Sequence, residues 1–180
     1  MRATKLFACF CLAASSVAQG SEPQQASVLV PGFGKISAVP GAANLPDRNL
    51  HYRVLFSVTK AADAPAKVNP SLEKVARFFN LLGSEGVVPR QKDVVVILHG
   101  SATPVVLTDE AYRARYGVPN PNLALIRALG SAGAAIHVCG QALHAQKIDR
   151  AAVSPEVIVD LSAMTTIATL QLKGWALMPD

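Results

Sequence analysis

A cysteine and a histidine in this sequence each follow an apolar run, at positions where a side chain can do chemistry. Cys139 ends the run Ala134–Val138 and is followed by Gly140, a pattern typical of a strand that turns into a helix. A thiol at a helix N-terminus feels the positive end of the helix dipole, which lowers its pKa and favours the thiolate. His99 follows the run Val94–Leu98. A histidine there could take the proton of a nearby thiol or hold an anion, so we predict a reactive Cys139 with His99 as its helper.

Cys139 is the only cysteine beyond Cys9 and Cys11, and its spacing limits the thiol chemistries. No Cys-x-x-Cys pair is present, which excludes a dithiol cycle within one chain. Ala145 stands where a tyrosine phosphatase needs an arginine after its nucleophile. A persulfide carrier, a mixed-disulfide former and a sensor of oxidation are left. A buried, inert strand cysteine is the alternative, since free cysteine is among the most buried residue types.

A metal site is a further alternative. His137 and Cys139 lie two residues apart, so they share a face of the predicted strand, and His144 follows in the next helix. Histidine and cysteine together suit copper. The histidines are scattered and no ligand spacing recurs, so we predict no metal and no cofactor.

The first residues predict export. Arg2 and Lys5 precede the apolar run Leu6–Ala14, and small residues then allow cleavage after Ala18 or Gly20. The run is too short to span a bilayer, and no second apolar run is long enough, so residues 1–18 are predicted to be a signal peptide without a membrane span. The short signal is typical of bacteria and implies the periplasm. Its removal leaves 15 of the 17 basic residues against 12 acidic ones, without a basic cluster that would indicate nucleic-acid binding.

Residues 19–49 are rich in proline and glycine and lack periodicity, so they predict an extended arm or linker. The segment Gly32–Lys35 lacks the spacing of a phosphate-binding loop.

Residues 50–180 alternate between strand and helix patterns. Strands are predicted at 51–59, 93–98, 134–139, 157–159 and 175–178, and helices at 70–82, from 109, at 121–129, 140–147 and 163–173. Asn69 and Thr108 are predicted N-caps, and the last helix is expected to turn Met164, Ile167 and Ala168 toward the core. This alternation predicts one α/β domain with a mostly parallel sheet covered on both sides.

In such sheets, ligands gather at the carboxyl ends of the strands. The second and third predicted strands lead into glycine and polar residues there. We predict catalytic roles for Cys139 and His99, and ligand contacts for Gly100, Ser101, Gly140 and Gln141.

Four segments, in this order, resemble those of the DsrE/DsrF-like family: Leu98–Gly100, Asn120–Leu123, Ile136–Leu143 and Leu170–Ala176. The resemblance covers residues 50–180 and is closest to the exported branch with a signal peptide. It implies a three-layer α/β/α domain with a five-stranded, largely parallel sheet, assembled as a homotrimer or hexamer.

In the cytoplasmic sulfur-relay members, the cysteine that matches Cys139 carries sulfur as a persulfide and passes it to a partner thiol. This chain departs from them, because their basic pair in the next helix is reduced to Lys147, and Ser57 stands where exported relatives have aspartate. The resemblance implies a periplasmic sulfur carrier or sulfurtransferase that meets a sulfur donor or a small thiol. A non-catalytic oligomeric binding protein that uses the strand-end cleft, and a thiol redox sensor, are the alternatives.

Overall fold

A computed structural model describes residues 27–180, so the predicted signal peptide with Cys9 and Cys11 lies outside the described residues. The strands are β1 (Val54–Val58), β2 (Val94–Leu98), β3 (Ala135–Cys139), β4 (Ile158–Asp160) and β5 (Ala176–Met178). The α-helices are α1 (Pro70–Ser84), α2 (Asp109–Tyr116), α3 (Leu123–Ser131), α4 (Gly140–Ala145) and α5 (Ala163–Leu172). Two 3-10 helices, Gly100–Val106 and Arg150–Ala152, complete the secondary structure of this part of the chain.

The five strands form one sheet in the order β4-β3-β2-β1-β5, and every pair of neighbours is parallel. The predicted α/β fold is confirmed, and the sheet is parallel throughout rather than mostly. Strand β2 is buried along its whole length, as its continuous β-branched run predicts for a strand covered on both faces.

The strand order explains which helices cover which face. From β1 to β4 the chain steps in one direction across the sheet, and it then returns to β5 beside β1. Because parallel crossovers are right-handed, this reversal places α5 on the face opposite to α1 and α3. We call the face that packs against α1 and α3 the first face, and the face that packs against α5 the second face. The result is the predicted three-layer arrangement.

Helix α1 begins as its sequence predicts. The side chain of Asn69 accepts hydrogen bonds from the backbone N–H groups of Ser71 and Leu72, at 2.9 and 3.3 Å. Pro70 follows at the first helical position, where a missing N–H costs nothing. The helix continues through Gly83 and ends at Ser84.

The segment before β1 lies against α1. Buried Asn80 accepts a hydrogen bond from Val30 N at 2.8 Å and donates to the carbonyls of Phe33 and Gly34 at 2.9 and 3.1 Å. Gly34 N donates to Glu73 Oε2 at 2.6 Å, so its N–H group is bound to a carboxylate rather than free for a phosphate. The arrangement agrees with our rejection of a phosphate-binding loop here.

Helix α5 differs from our expectation. Ile167 and Leu170 pack against the second face, but Met164 is 79% exposed and Ala168 is also exposed. The prediction that Met164 and Ala168 face the core is wrong, because the helix rests on the sheet along the line of Ala163, Ile167 and Leu170 and turns its other side outward. Between residues 27 and 180, no helix has the length and apolar character needed to cross a membrane.

Candidate functional site

The connections after β3 and β4 leave the sheet on opposite faces. Helix α4 follows β3 and packs Leu143 into the core of the first face, whereas α5 follows β4 on the second face. Ligands of open α/β sheets bind in a crevice of this kind, between adjacent strands whose connections diverge. We call the junction formed by Cys139, Gly140, Asp160 and Leu161 the β3–β4 crevice.

Cys139 ends β3 and directly precedes α4. It is 6% exposed, and it belongs to the packed cluster of the second face with Ile97, Ala135 and Ala163. Its position before a helix is as predicted. Helix α4 has only six residues, however, so its dipole is weaker than that of a longer helix.

Gly140 and Gln141, predicted to contact a ligand, lie at the β3–β4 crevice and contact the end of β4 across it. A Cβ atom on Gly140 would lie 2.5 Å from the carbonyl oxygen of Asp160, so only glycine allows the two strand ends to come this close. Gln141 Nε2 donates to the Leu161 carbonyl at 3.4 Å, a weak bond across the same junction.

A histidine–aspartate pair lies beside the cysteine on the second face. His137 Nδ1 is 2.9 Å from Asp160 Oδ1 and 3.0 Å from Oδ2. The two side chains are 17% and 14% exposed. Parallel pairing places Asp160 directly opposite Cys139, and the alternation of the strand puts His137 on the same face as Cys139. The pair therefore lies on the same face of the sheet as the thiol.

His99 follows β2 on the second face, in line with the end of β3, because Leu98 pairs with Val138. Its Nε2 lies 2.9 Å from Ser57 Oγ, so the imidazole is held toward β1. Burial lowers the pKa of His99 and outweighs the opposing effect of the Asp180 carboxylate, so the ring is neutral at neutral pH. Within residues 27–180 the thiol makes no hydrogen bond to His99 that meets normal geometry.

Gly100 and Ser101, also predicted as ligand contacts, anchor loops. The Gly100 carbonyl accepts hydrogen bonds from Thr103 Oγ1 at 2.8 Å and from Gln146 Nε2 at 2.7 Å. Ser101 Oγ donates to the Thr59 carbonyl at 2.8 Å and accepts from Ala61 N at 3.1 Å. These bonds join the end of β2 to the end of β1 and to α4.

An aspartate carboxylate accepts several hydrogen bonds at the end of β1. Asp180 Oδ2 accepts hydrogen bonds from Thr59 N and Thr59 Oγ1 at 3.0 Å and from Lys60 N at 2.9 Å, and Ser71 donates to Oδ1. Partial burial acts to raise the pKa of Asp180, but the bonds from Ser71, Thr59 and Lys60 outweigh it and lower the pKa to about 2. This carboxylate ties the segment after β5 to the start of α1.

The metal alternative involved His137, Cys139 and His144. His137 is bound to Asp160, and His144 is exposed on α4. Among residues 27–180, no three or more His, Cys, Asp and Glu side chains are grouped so that they could hold a metal ion.

Sequence reasoning missed the pairing of His137 with Asp160, the partner Ser57 of His99, and the role of Asp180. The alternation rule carried part of the signal, because it places His137 and Cys139 on the same face of β3. The strand register that brings Asp160 opposite Cys139 has no signature in the sequence.

Comparisons with known proteins agree with this architecture. The model of the DsrE/DsrF-like family matches residues 52–179. A protein of unknown function from Methanobacterium thermoautotrophicum, MTH1491, has a similar solved structure with a TM-score of 0.53 and 22% sequence identity. The match covers 72% of this chain and 99% of that one, and at this identity it supports the fold alone. A search of curated proteins finds no match.

Proposed function

Since this chain belongs to the DsrE/DsrF-like family, which suggests a function related to sulfur relay, we propose that Cys139 takes up sulfur as a persulfide and passes it to an acceptor thiol. The position of Cys139 in the β3–β4 crevice is the observation that carries this proposal. No other thiol occurs in residues 27–180, so sulfur held covalently by this part of the chain must be held there.

The proposed reaction needs no cofactor. The Cys139 thiolate attacks the outer sulfur of a sulfane donor such as thiosulfate or an inorganic polysulfide. A bond forms between Sγ and that sulfur, and sulfite or the shortened polysulfide leaves with the electron pair of the broken S–S bond. An acceptor thiolate then attacks the outer sulfur of the persulfide, and the Cys139 thiolate leaves.

The burial of Cys139 restricts the donors. Cys139 is buried, with 6% of the residue exposed, so we expect a small or chain-like donor rather than a bulky disulfide. Leu161, which forms part of the crevice, is 76% exposed, so the crevice presents an apolar side chain to solvent. An apolar side chain at this position suits uncharged or polarizable sulfur chains.

We also propose a periplasmic location, which the N-terminal sequence supports, and a homo-oligomer, trimeric or hexameric. The exposed apolar side chains of α5 and β5 support an assembly. Large apolar side chains that are exposed in a single chain are often covered in an assembly, and Leu172 on α5 and Met178 on β5 are 90% and 40% exposed.

Intact mass spectrometry tests the persulfide. Purified protein is incubated with thiosulfate or polysulfide, with Cys139→Ser as the matched control. We expect wild type to gain the mass of one sulfur atom, removed again by dithiothreitol, and Cys139→Ser to gain nothing.

The same samples separate the alternatives. Peroxide could remove the free thiol without forming a sulfur adduct, and dithiothreitol could restore it. That result would indicate a redox sensor instead of a sulfur carrier. A thiol that reacts with neither reagent in folded protein would leave a non-catalytic binding protein.

A further inference from the structure

A cavity of about 220 Å³ lies at the edge of the sheet opposite to the one that holds Cys139. Two segments form it, residues 48–52 before β1 and residues 86–90 between α1 and β2. Both segments lead into a strand of the parallel sheet, whereas Cys139 ends one, so the cavity and the thiol lie at opposite strand ends. We call it the amino-edge cavity, and it has no part in the sulfur transfer written above.

The first wall of the amino-edge cavity is a turn closed by its own hydrogen bonds. Asn49 N donates to Asp47 Oδ1 at 2.8 Å, and Leu50 N donates to the Asp47 carbonyl at 3.2 Å. The Tyr52 hydroxyl oxygen accepts a hydrogen bond from Asp47 N at 2.8 Å. These bonds hold the Asp47 carboxylate within the turn and place Arg48 in the wall of the cavity.

The second wall follows the last turn of α1. Val87 N donates to the Leu82 carbonyl at 2.9 Å, and Gly86 N donates to the Gly83 carbonyl at 3.0 Å. Carbonyl groups at the end of α1 are thereby satisfied, which reduces the negative potential that they would present to the cavity. Gly86, Val87 and Pro89 are buried, so this segment forms a fixed floor.

The charged side chains that line the amino-edge cavity are basic. Arg48, Arg90 and His51 belong to the lining, and no aspartate or glutamate does. His51 contacts the carboxylate of Asp93, outside the lining. Arg48 and Arg90 are exposed, and their guanidinium groups make no ion pair or hydrogen bond with residues 27–180. Two fixed positive charges therefore lie at one cavity without an acidic partner from this part of the chain.

Backbone donors in the same lining add to these charges. The N–H groups of His51, Val88 and Arg90 make no hydrogen bond with any residue between 27 and 180. Backbone N–H groups and guanidinium groups both form strong, charge-assisted hydrogen bonds with oxyanions. The donors of the two walls thus match an anion that has several oxygen atoms.

The size of the cavity and the separation of the donors limit the ligand. Sites for drug-sized molecules have volumes of about 300–1,000 Å³, so this cavity fits a smaller ligand. A guanidinium group binds two oxygens of one anion side by side. Arg48 and Arg90 come from different walls, and a tetrahedral anion can present a pair of oxygens to each of them, whereas a carboxylate has only one pair.

We propose that the amino-edge cavity binds a small tetrahedral oxyanion with two negative charges, such as phosphate or sulfate, between Arg48 and Arg90. The site is separate from Cys139 and does not depend on the proposed function. It gives the turn before β1 and the loop after α1 a common ligand.

Isothermal titration calorimetry of the purified protein at pH 8 and constant ionic strength tests the proposal, with phosphate and sulfate as separate titrants and chloride as the reference. We expect saturable binding of one dianion per chain. Arg48→Gln and Arg90→Gln should each weaken it about tenfold or more, because each removes a charge-assisted pair of hydrogen bonds. Arg150→Gln, which removes an exposed positive charge outside the lining, is the matched control and should change the affinity less than about twofold.

Saturable binding of either anion that depends on both cavity arginines supports the proposal, and the tighter titrant identifies the preferred ligand. Absence of saturable binding for both anions would overturn it, and so would a loss in Arg150→Gln as large as in the cavity variants, since that pattern indicates general charge attraction. Phosphate and sulfate carry no transferable sulfur. The titration therefore succeeds or fails independently of persulfide formation at Cys139.

Discussion

Residues at the ends of four adjacent strands divide into two separate polar groups. His137 and Asp160 flank Cys139, whereas His99 turns away to Ser57 and Asp180 lies beyond it at the end of β1. His99, which we predicted to be the helper of the thiol, is thus hydrogen-bonded to Ser57 in the single chain. The pair on β3 and β4 lies on the face of the sheet that holds the thiol, with Asp160 opposite Cys139 in the strand register.

At the residue scale, Asp180 should make stability depend on acid. Its folded-state pKa of about 2 lies below the ordinary value of 3.8, so its stabilising effect is fully present above about pH 4 and is lost as the pH falls toward 2. We expect Asp180→Asn to lower the free energy of unfolding by about 1 kcal/mol at neutral pH, after allowance for solvent screening.

Urea unfolding at neutral pH and near the acid limit measures this effect. The difference between Asp180→Asn and wild type should shrink in acid, because the wild-type carboxylate becomes protonated. Asp63→Asn is the control, since its side chain is 92% exposed and should affect stability little. A deficit in Asp180→Asn that is the same at both pH values would contradict the assignment.

At the element scale, α5 packs on the face of the sheet that holds Cys139. It is held to the second face mainly through Ala163, Ile167 and Leu170, while the remainder of the helix faces outward. Elements with few buried contacts open locally at low free-energy cost. The reactivity of the thiol should therefore follow the packing of this helix.

Truncating Ile167 tests this dependence. Ile167→Ala removes packing atoms between α5 and the sheet, so we expect alkylation of Cys139 to become about three- to tenfold faster at fixed pH. Thr169→Ala, an exposed position on the same helix, is the matched control and should keep the wild-type rate. Equal rates in both variants would mean that reagent enters by a route that does not involve α5.

At the scale of the whole molecule, much of the fold could be predicted from the sequence. The β-branched run of β2 and the cap and proline that open α1 each indicate one structure. The alternation of strand and helix patterns permits few folds other than a parallel α/β sheet. The exposure of α5 could not be predicted, because an apolar helix has the same composition whether a core or another chain covers it.

The candidate site was predicted in part. The residues next to Cys139 in the sequence are enough to predict its position before a helix. The contacts of Asp160 and Asp180 depend on long-range register and on the return of the chain to β5, which local pattern does not encode.

The prediction for the whole molecule concerns the assembly of several chains into an oligomer. We expect static light scattering to give the mass of several chains for wild type, and Leu172→Glu to lower it by placing a charge on the apolar surface of α5. Val39→Glu replaces an apolar residue that is 71% exposed far along the chain from α5, and it should leave the mass unchanged. A wild type with the mass of one chain would contradict the proposed oligomer.

The central claim is that Cys139 carries transferable sulfur, and radioactively labelled sulfur tests this claim most directly. Protein loaded with polysulfide that carries radioactive sulfur is desalted, counted, and then treated with cyanide, which removes outer sulfur as thiocyanate. The account predicts that wild type retains label and releases it to cyanide, and that Cys139→Ala retains none. Label bound equally by both proteins, or label in wild type that cyanide does not release, would contradict it.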